Sequence, residues 1–297
     1  MVRKIFAARP LEACCVGALR IQALRIKQRC MDALMTNEDR TARLCSLAAG
    51  SILDVGPIDA PRVAAEAGWE AVGIWFDPTT WTEKTSSAVA RALTEHGVVA
   101  LDMEPVILTS DGDPGDALID AAIAIGAKNV LVASRLPVSP DVIDRFGALC
   151  DRAAAGNLTL VMEFLPIFGV RNLADALQVV RGAGRPNSGV LVDTLHLARS
   201  GGTVEELLAA GTGMFPYLQL ADAPNTAPAD GLNGLLREAL HGRLLPGEGE
   251  LPLADVLRTV PDVAVSVELR SERLRAEYPN PVDRARAVMV ATRTVVR

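Results

Sequence analysis

The sequence predicts a (β/α)8 barrel carrying a non-barrel N-terminal extension. Three observations predict it. Beyond about residue 50, eight short runs rich in Val, Ile and Leu alternate with eight stretches of helical composition over about 250 residues, the usual size of such a barrel. The apolar fraction is 49% and the aromatic fraction only 4%, so the core must be built from small aliphatic side chains, as in buried parallel sheets. Finally, one oxygen-bearing side chain sits inside or just after each of the last four apolar runs.

The expected strands are Ser51–Val55, Ala71–Phe76, Val98–Met103, Asn129–Ala133, Thr159–Phe164, Gly189–Val192, Tyr217–Leu220 and Val263–Leu269. Helices are expected at 59–67, 84–96, 114–125, 139–155, 172–183, 203–210, 252–259 and 281–295. A doubly wound open sheet is the competing fold. It normally carries a Gly-rich phosphate turn after its first strand, and Val55-Gly-Pro-Ile-Asp59 is not one.

Residues 1–46 lie outside this rhythm and form the expected extension, with the barrel at 47–297. Leu11–Leu34 is rich in Ala, Leu and Arg and reads as a helix, without a signal-peptide cleavage pattern. Met35 offers an alternative start; an intact mass that includes residues 1–34 would exclude it. Residues 1–50 carry a net charge of +5 and the remainder -11. An acidic body argues against nucleic acid as the main partner, and no run of apolar residues is long enough to span a membrane. The five cysteines lack disulfide-framework spacing, with Cys14, Cys15, Cys30 and Cys45 crowded near the N-terminus; this pattern suits a reducing compartment such as the cytoplasm.

The four polar residues are Glu163 in Val-Met-Glu-Phe, Asp193 in Leu-Val-Asp-Thr, Gln219 in Tyr-Leu-Gln-Leu and Glu268 in Ser-Val-Glu-Leu. An unpaired buried carboxylate costs several kcal/mol, so each needs a partner. In a barrel these residues fall at the C-terminal ends of strands five to eight, where active sites lie. Neighbouring strands are about 4.8 Å apart, close enough for four ends to surround one cation. An all-oxygen set favours a hard ion, Mg²⁺ or Mn²⁺. A single Glu at a strand end is usually a salt-bridged surface residue; four in succession on apolar strands point to a site.

The same segments resemble the xylose isomerase-like barrel superfamily, the sugar phosphate isomerase/epimerase group, over roughly residues 50–297. Asp193-Thr-Leu-His196, Gln219-Leu-Ala-Asp222-Ala-Pro224 and the Gly247-Glu-Gly249 loop after Arg243 are similar to its motifs. The resemblance implies metal ligation by Glu163, Asp193, Gln219 and Glu268, with Glu163 and Glu268 moving the proton beside a carbonyl through a metal-stabilised enediolate. It implies substrate contacts for His196 and Arg243. Leu240 stands where similar proteins often have a second Arg, which argues against a doubly anionic substrate. Trp75, Phe76 and Trp81 are either core packing or an aromatic face for a sugar or cyclitol, and Glu104 is a candidate substrate-binding carboxylate. His96 reads as a helix C-terminal residue, favoured there by the dipole, and His241 as a rim residue.

The expected function is a divalent-metal-dependent isomerase or epimerase of a sugar, sugar phosphate or cyclitol, with a homo-oligomer possible. Gln219 in a position where the family often has His keeps a dehydratase of the 3-dehydroshikimate or inosose type as the alternative. The related abasic-site endonucleases need many His ligands, and three histidines do not supply them.

Overall fold

The computed structural model describes residues 43–296. Eight parallel strands close into a barrel in sequence order. They are β1 Cys45–Leu47, β2 Ala71–Trp75, β3 Val99–Leu108, β4 Asn129–Ser134, β5 Thr159–Glu163, β6 Ser188–Asp193, β7 Tyr217–Leu220 and β8 Ala264–Val267. β1 pairs with β8 to complete the ring, with Leu47 opposite Val267.

The eight expected helices are all present: α1 Ala60–Ala67, α2 Glu83–His96, α3 Gly115–Ile125, α4 Pro140–Ala154, α5 Leu173–Ala183, α7 Val204–Ala210, α9 Leu253–Thr259 and α11 Pro281–Val295. Three further ones join them: α6 Thr194–Arg199, α8 Gly231–His241 and α10 Glu272–Glu277. The starts were legible because Thr82, Ser139, Asn172 and Asn280 cap their helices through side-chain oxygens. Helices α3 and α5 stop at Gly126 and Gly184, which take the left-handed conformation (φ 73° and 61°) that other residues resist.

The first strand departs from expectation. Ser51–Val55 is not a strand: Ala49–Ile52 forms a 3-10 turn whose residues are all buried. The true β1 has only three residues, too short for an alternating pattern to register. Cys45 and Ser46, expected in the extension, therefore belong to the barrel. Residues 1–42, including Leu11–Leu34, Met35 and the Cys14-Cys15 pair, lie outside the described residues. No helix among the described residues is long and apolar enough to cross a membrane.

Most of the core fills the space between sheet and helices. A smaller apolar cluster plugs the barrel interior, made of Ala71, Leu101, Leu131, Ala133, Val161, Leu191 and Tyr217. Strand side chains alternate with a period of two. Val161, Leu191 and Tyr217 are therefore followed on the inward face by Glu163, Asp193 and Gln219. The plug thus carries a polar layer on its C-terminal side. On β3 the register with β2 skips Leu101, pairing Val72 with Ala100 and then Gly73 with Asp102. Asp102 and Glu104, two residues apart beyond that bulge, share a face.

Candidate active site

The site is assembled at the ends of β3 and β5 to β8. Glu163 ends β5, Asp193 ends β6 opposite Gln219 on β7, and Glu268 follows β8. Glu104, Glu163, Asp193, His196, Gln219, Arg243 and Glu268 are all buried. Trp75 joins Glu104, Glu163, His196, Arg243 and Glu268 on the wall of a cavity of about 360 Å³ that opens at this end of the barrel.

The Asp-x-x-His spacing has a local cause. Asp193 caps the short helix α6, its Oδ1 accepting the backbone N–H of Leu195 (2.7 Å) and His196 (3.2 Å). The first turn of α6 then returns His196 to the side of its own cap, with Nε2 3.9 Å from Glu163 Oε1. Thr194 ties the ends of β6 and β7 together through Ala221, donating to its carbonyl at 2.6 Å and accepting its N–H at 2.9 Å.

Arg243 is held from another direction. Its backbone N–H donates to Arg270 O, and Leu244 exchanges hydrogen bonds with Asp222. Nε donates to Ala239 O at 3.0 Å, and Nη1 to Asp193 Oδ2 and to Glu268 O. Nη2 lies 3.3 Å from Glu268 Oε2 and 3.4 Å from His196 Nε2. Guanidinium only donates, so His196 Nε2 accepts and the ring proton sits on Nδ1. The two motifs around Arg243 explain each other. Asp222 Oδ2 accepts the N–H groups of Gly247 (2.9 Å) and Gly249 (3.0 Å), and Oδ1 accepts that of Leu251. A Cβ at Gly249 would collide with Asp222 and the Ala223 backbone.

Glu268 is positioned from the β1 side. Ser51 Oγ donates to Val267 O and accepts the N–H of Leu269, both at 2.8 Å, so it clips the chain on either side of Glu268. A Cβ on Gly50 would overlap the Glu268 carboxylate. Gly50→Ala is therefore expected to shift that carboxylate and weaken divalent-metal binding by about tenfold or more, comparable with loss of a residue that orients a ligand. Isothermal titration with Mn²⁺ checks this, and unchanged affinity would mean the turn yields instead.

Gln219 reveals what the centre is built to hold. With its amide Nε2 donating to Glu104 Oε2 at 3.4 Å, its carbonyl oxygen faces Glu163 Oε1 at 3.2 Å and Glu268 Oε2 at 3.3 Å. In that orientation the three oxygens repel unless a cation or a proton lies among them. Turned over, the amide would donate to both carboxylates. Glu163, Asp193 and His196 also bring one ligand atom each within 4.8 Å of one another. The donor set fits a divalent cation.

The electrostatics agree. Burial, and then the charges of Glu268 and Asp193, push Glu163 well above the ordinary carboxylate range. Burial, then Asp102 and Glu268, does the same to Glu104. Asp193 titrates lower than usual: burial opposes its ionisation, but Arg243 and His196 outweigh it. Burial lowers His196, which stays neutral.

Sequence reasoning missed four residues here. Asp102 is fully buried with neither carboxylate oxygen hydrogen-bonded; its period-two spacing from Glu104 was the available signal. Arg270 packs its guanidinium over Trp75, 5.4 Å from the ring centre, with Nε 3.3 Å from Glu268 Oε1. Arg135 lies over Phe168 at 5.4 Å. Of the aromatic trio, Trp75 faces the cavity, whereas Phe76 packs on Trp81 (5.3 Å between ring centres), whose Nε1 donates to Ser86. His96 closes α2, and exposed His241 pairs with Glu272 at 3.1 Å.

Burial, then the Glu268 charge, raises Asp102 from 3.8 to about 7. Between those pH values the folded state holds a proton that the unfolded chain has lost, so stability falls as pH rises. In chelator-treated protein, Asp102→Asn is expected to flatten that decline. Urea titrations across the interval measure it, and an unchanged slope would remove Asp102 as its source.

Comparison with known proteins decides the lineage. Residues 61–292 match the family described as xylose isomerase-like TIM barrel. The chain belongs to this family. An inosose isomerase from Bacillus licheniformis is 28% identical over 132 residues, 44% of this chain and 45% of that protein; the match spans less than half of the relative's length. Among solved structures, the IolI protein with a bound zinc atom superposes with a TM-score of 0.71 at 17% identity, covering 85% of this chain and 97% of that one. A D-allulose 3-epimerase from Methylomonas sp. gives 0.62 at 16% identity, covering 85% and 98%. The probable 3-DHS dehydratase AsbF from Bacillus anthracis gives 0.65 at 17%, covering 84% and 98%. At these identities the structural likenesses establish the shared fold. These relatives and neighbours are named as an isomerase, an epimerase and a probable dehydratase.

Proposed function

We propose that the protein is a divalent-metal-dependent isomerase or epimerase that abstracts a proton beside a carbonyl of a sugar-like or cyclitol substrate. One observation carries this reading: the Gln219 side chain stands within 3.3 Å of both Glu163 and Glu268, which sets two carboxylates around one reacting centre. Glu163, Asp193, Gln219 and Glu268 would hold the ion, with His196 at its edge. When bound, the ion supplies positive charge to the carbonyl oxygen that becomes negative as the neighbouring proton leaves. One of the two glutamates removes that proton and the other returns it, the division of labour expected of a general acid–base pair. Neutral His196 contacts a substrate hydroxyl or carbonyl.

The inosose isomerase relative and the epimerase neighbour support this class of chemistry. The experiment is incubation of the metal-loaded protein with ketoses and cyclitol ketones in D₂O. Solvent deuterium at a single carbon of an isomerised product is the expected result. Loss of water from the product would move the assignment to a dehydratase, and no deuterium in any substrate or product would sink the proton-abstraction step.

The ion itself has a separate check. Mn²⁺ or Mg²⁺ at about 100 times its Kd should stabilise by about 2.7 kcal/mol, raising the Tm by roughly 5–10 °C for a domain of this size. Zn²⁺ belongs in the same series because His196 adds a nitrogen to the donor set. Calorimetry of chelator-treated protein that shows no shift with any of the three would exclude the site.

A further inference from the structure

Three arginines line the cavity, and they are not equivalent. Arg243 is engaged by Asp193, Glu268 and Ala239. Arg270 faces Glu268. Arg135 has no carboxylate within salt-bridge distance among the described residues, yet its guanidinium is not adrift: it lies over the Phe168 ring. Arg135 follows directly on β4, where Ala133 pairs in register with Glu163. It therefore stands two residues above Glu163, about 7 Å of strand rise, at the outer end of the cavity.

The seat beneath it is built. Gly169 N donates to Ser134 O at 2.9 Å, and Phe168 N to Leu165 O at 2.9 Å. Ser134 Oγ in turn donates to Leu136 O and accepts its N–H. A Cβ at Gly169 would collide with the Arg135–Leu136 backbone, so the glycine lets the β5–α5 loop bring Phe168 up against β4. An aromatic face orders a guanidinium while leaving its N–H groups free to donate. The wall around it offers Ile107, Leu165, Ile167, Leu236 and Leu240, none of which can satisfy a polar substrate end. At the floor, Glu104 would repel an anion, and Glu163 and Glu268 are committed to the proposed ion. Arg243 and Arg270 are engaged with Glu268, so a negative group on the substrate is best placed at the rim, beside Arg135.

We infer that Arg135, seated on Phe168, is an anion anchor, and that the substrate carries a single carboxylate or phosphate held there while its carbonyl end reaches Glu163 and Glu268. The inference rests on the proton-abstraction reading for the orientation of the substrate. A cavity of about 360 Å³ holds roughly a dozen non-hydrogen atoms at about 30 Å³ each, enough for one ring or a short chain with one such group.

The test is calorimetric binding to the full-length, Mn²⁺-loaded protein of two matched pairs: D-fructose 6-phosphate against D-fructose, and quinate against its methyl ester. At least one anionic member should bind about tenfold or more tightly than its neutral partner, the scale of a charge-assisted hydrogen bond. The preferred pair identifies phosphate or carboxylate. Arg135→Gln should erase that advantage while leaving the neutral partner's affinity unchanged, and Arg135→Lys should keep part of it. Equal affinities within both pairs, no binding of either anion at millimolar concentration, or an advantage that survives Arg135→Gln would each overturn the anchor. Anion preference without solvent deuterium exchange would leave the anchor standing and remove the proton-abstraction reading; exchange on neutral sugars without anion preference would do the reverse.

Discussion

Glu163→Gln is expected to cut turnover by about 10²- to 10⁴-fold, the usual contribution of a positioned acid or base, without destabilising the chelator-treated protein. The two halves come from one geometry. Glu163 is buried against Glu268 and Asp193, and burial and these charges disfavour its ionisation more than Arg243 and Arg270 favour it; His196, 3.9 Å away, is neutral. Replacing it by an amide removes repulsion at almost constant volume, so urea unfolding of the metal-free variant should match the parent or exceed it. Glu268→Gln should lose turnover similarly, but it gives up contacts with Arg243 and Arg270 and should cost stability. Deuterium exchange sharpens the comparison. Under the proposed division of labour between the two glutamates, each variant should fail to interconvert substrate and product, yet retain exchange with whichever one presents its proton to the surviving glutamate. Full turnover in Glu163→Gln would exclude it as acid or base.

Much of this arrangement was legible because it is local. Strands β5 to β8 announce themselves as apolar runs, and the period of two places Glu163, Asp193 and Gln219 on the inward face. Helix starts carried caps, and Asp193 with His196 is itself a capping pattern. What the sequence concealed depends on distant pairing. β1 has three residues and is defined by its neighbours β8 and β2. Asp102 lies just beyond a bulge against β2, and Arg135 acquires its partner from a loop about thirty residues away through the close approach at Gly169. Arg243 was visible as a residue, but its contacts with Asp193 and Glu268 come from the way its loop returns to β8.

That return makes Arg243→Ala the substitution with the largest expected effect on stability. Arg243 is 3% exposed and supplies the charge that holds Asp193 in its ionised form. Removing it leaves buried carboxylate without compensation, a loss of about 3–5 kcal/mol in chelator-treated protein. Arg243→Lys should recover part of this, because an ammonium restores the charge but not the fork that reaches Asp193, Glu268 and Ala239 together. A divalent cation between the same carboxylates would supply the missing charge, so saturating Mn²⁺ should stabilise Arg243→Ala by more than it stabilises the parent. Urea titrations of both proteins with and without metal measure that difference. A loss under about 1 kcal/mol in the absence of metal would show that the carboxylates take up protons instead, and that Arg243 does not hold the site's charge balance.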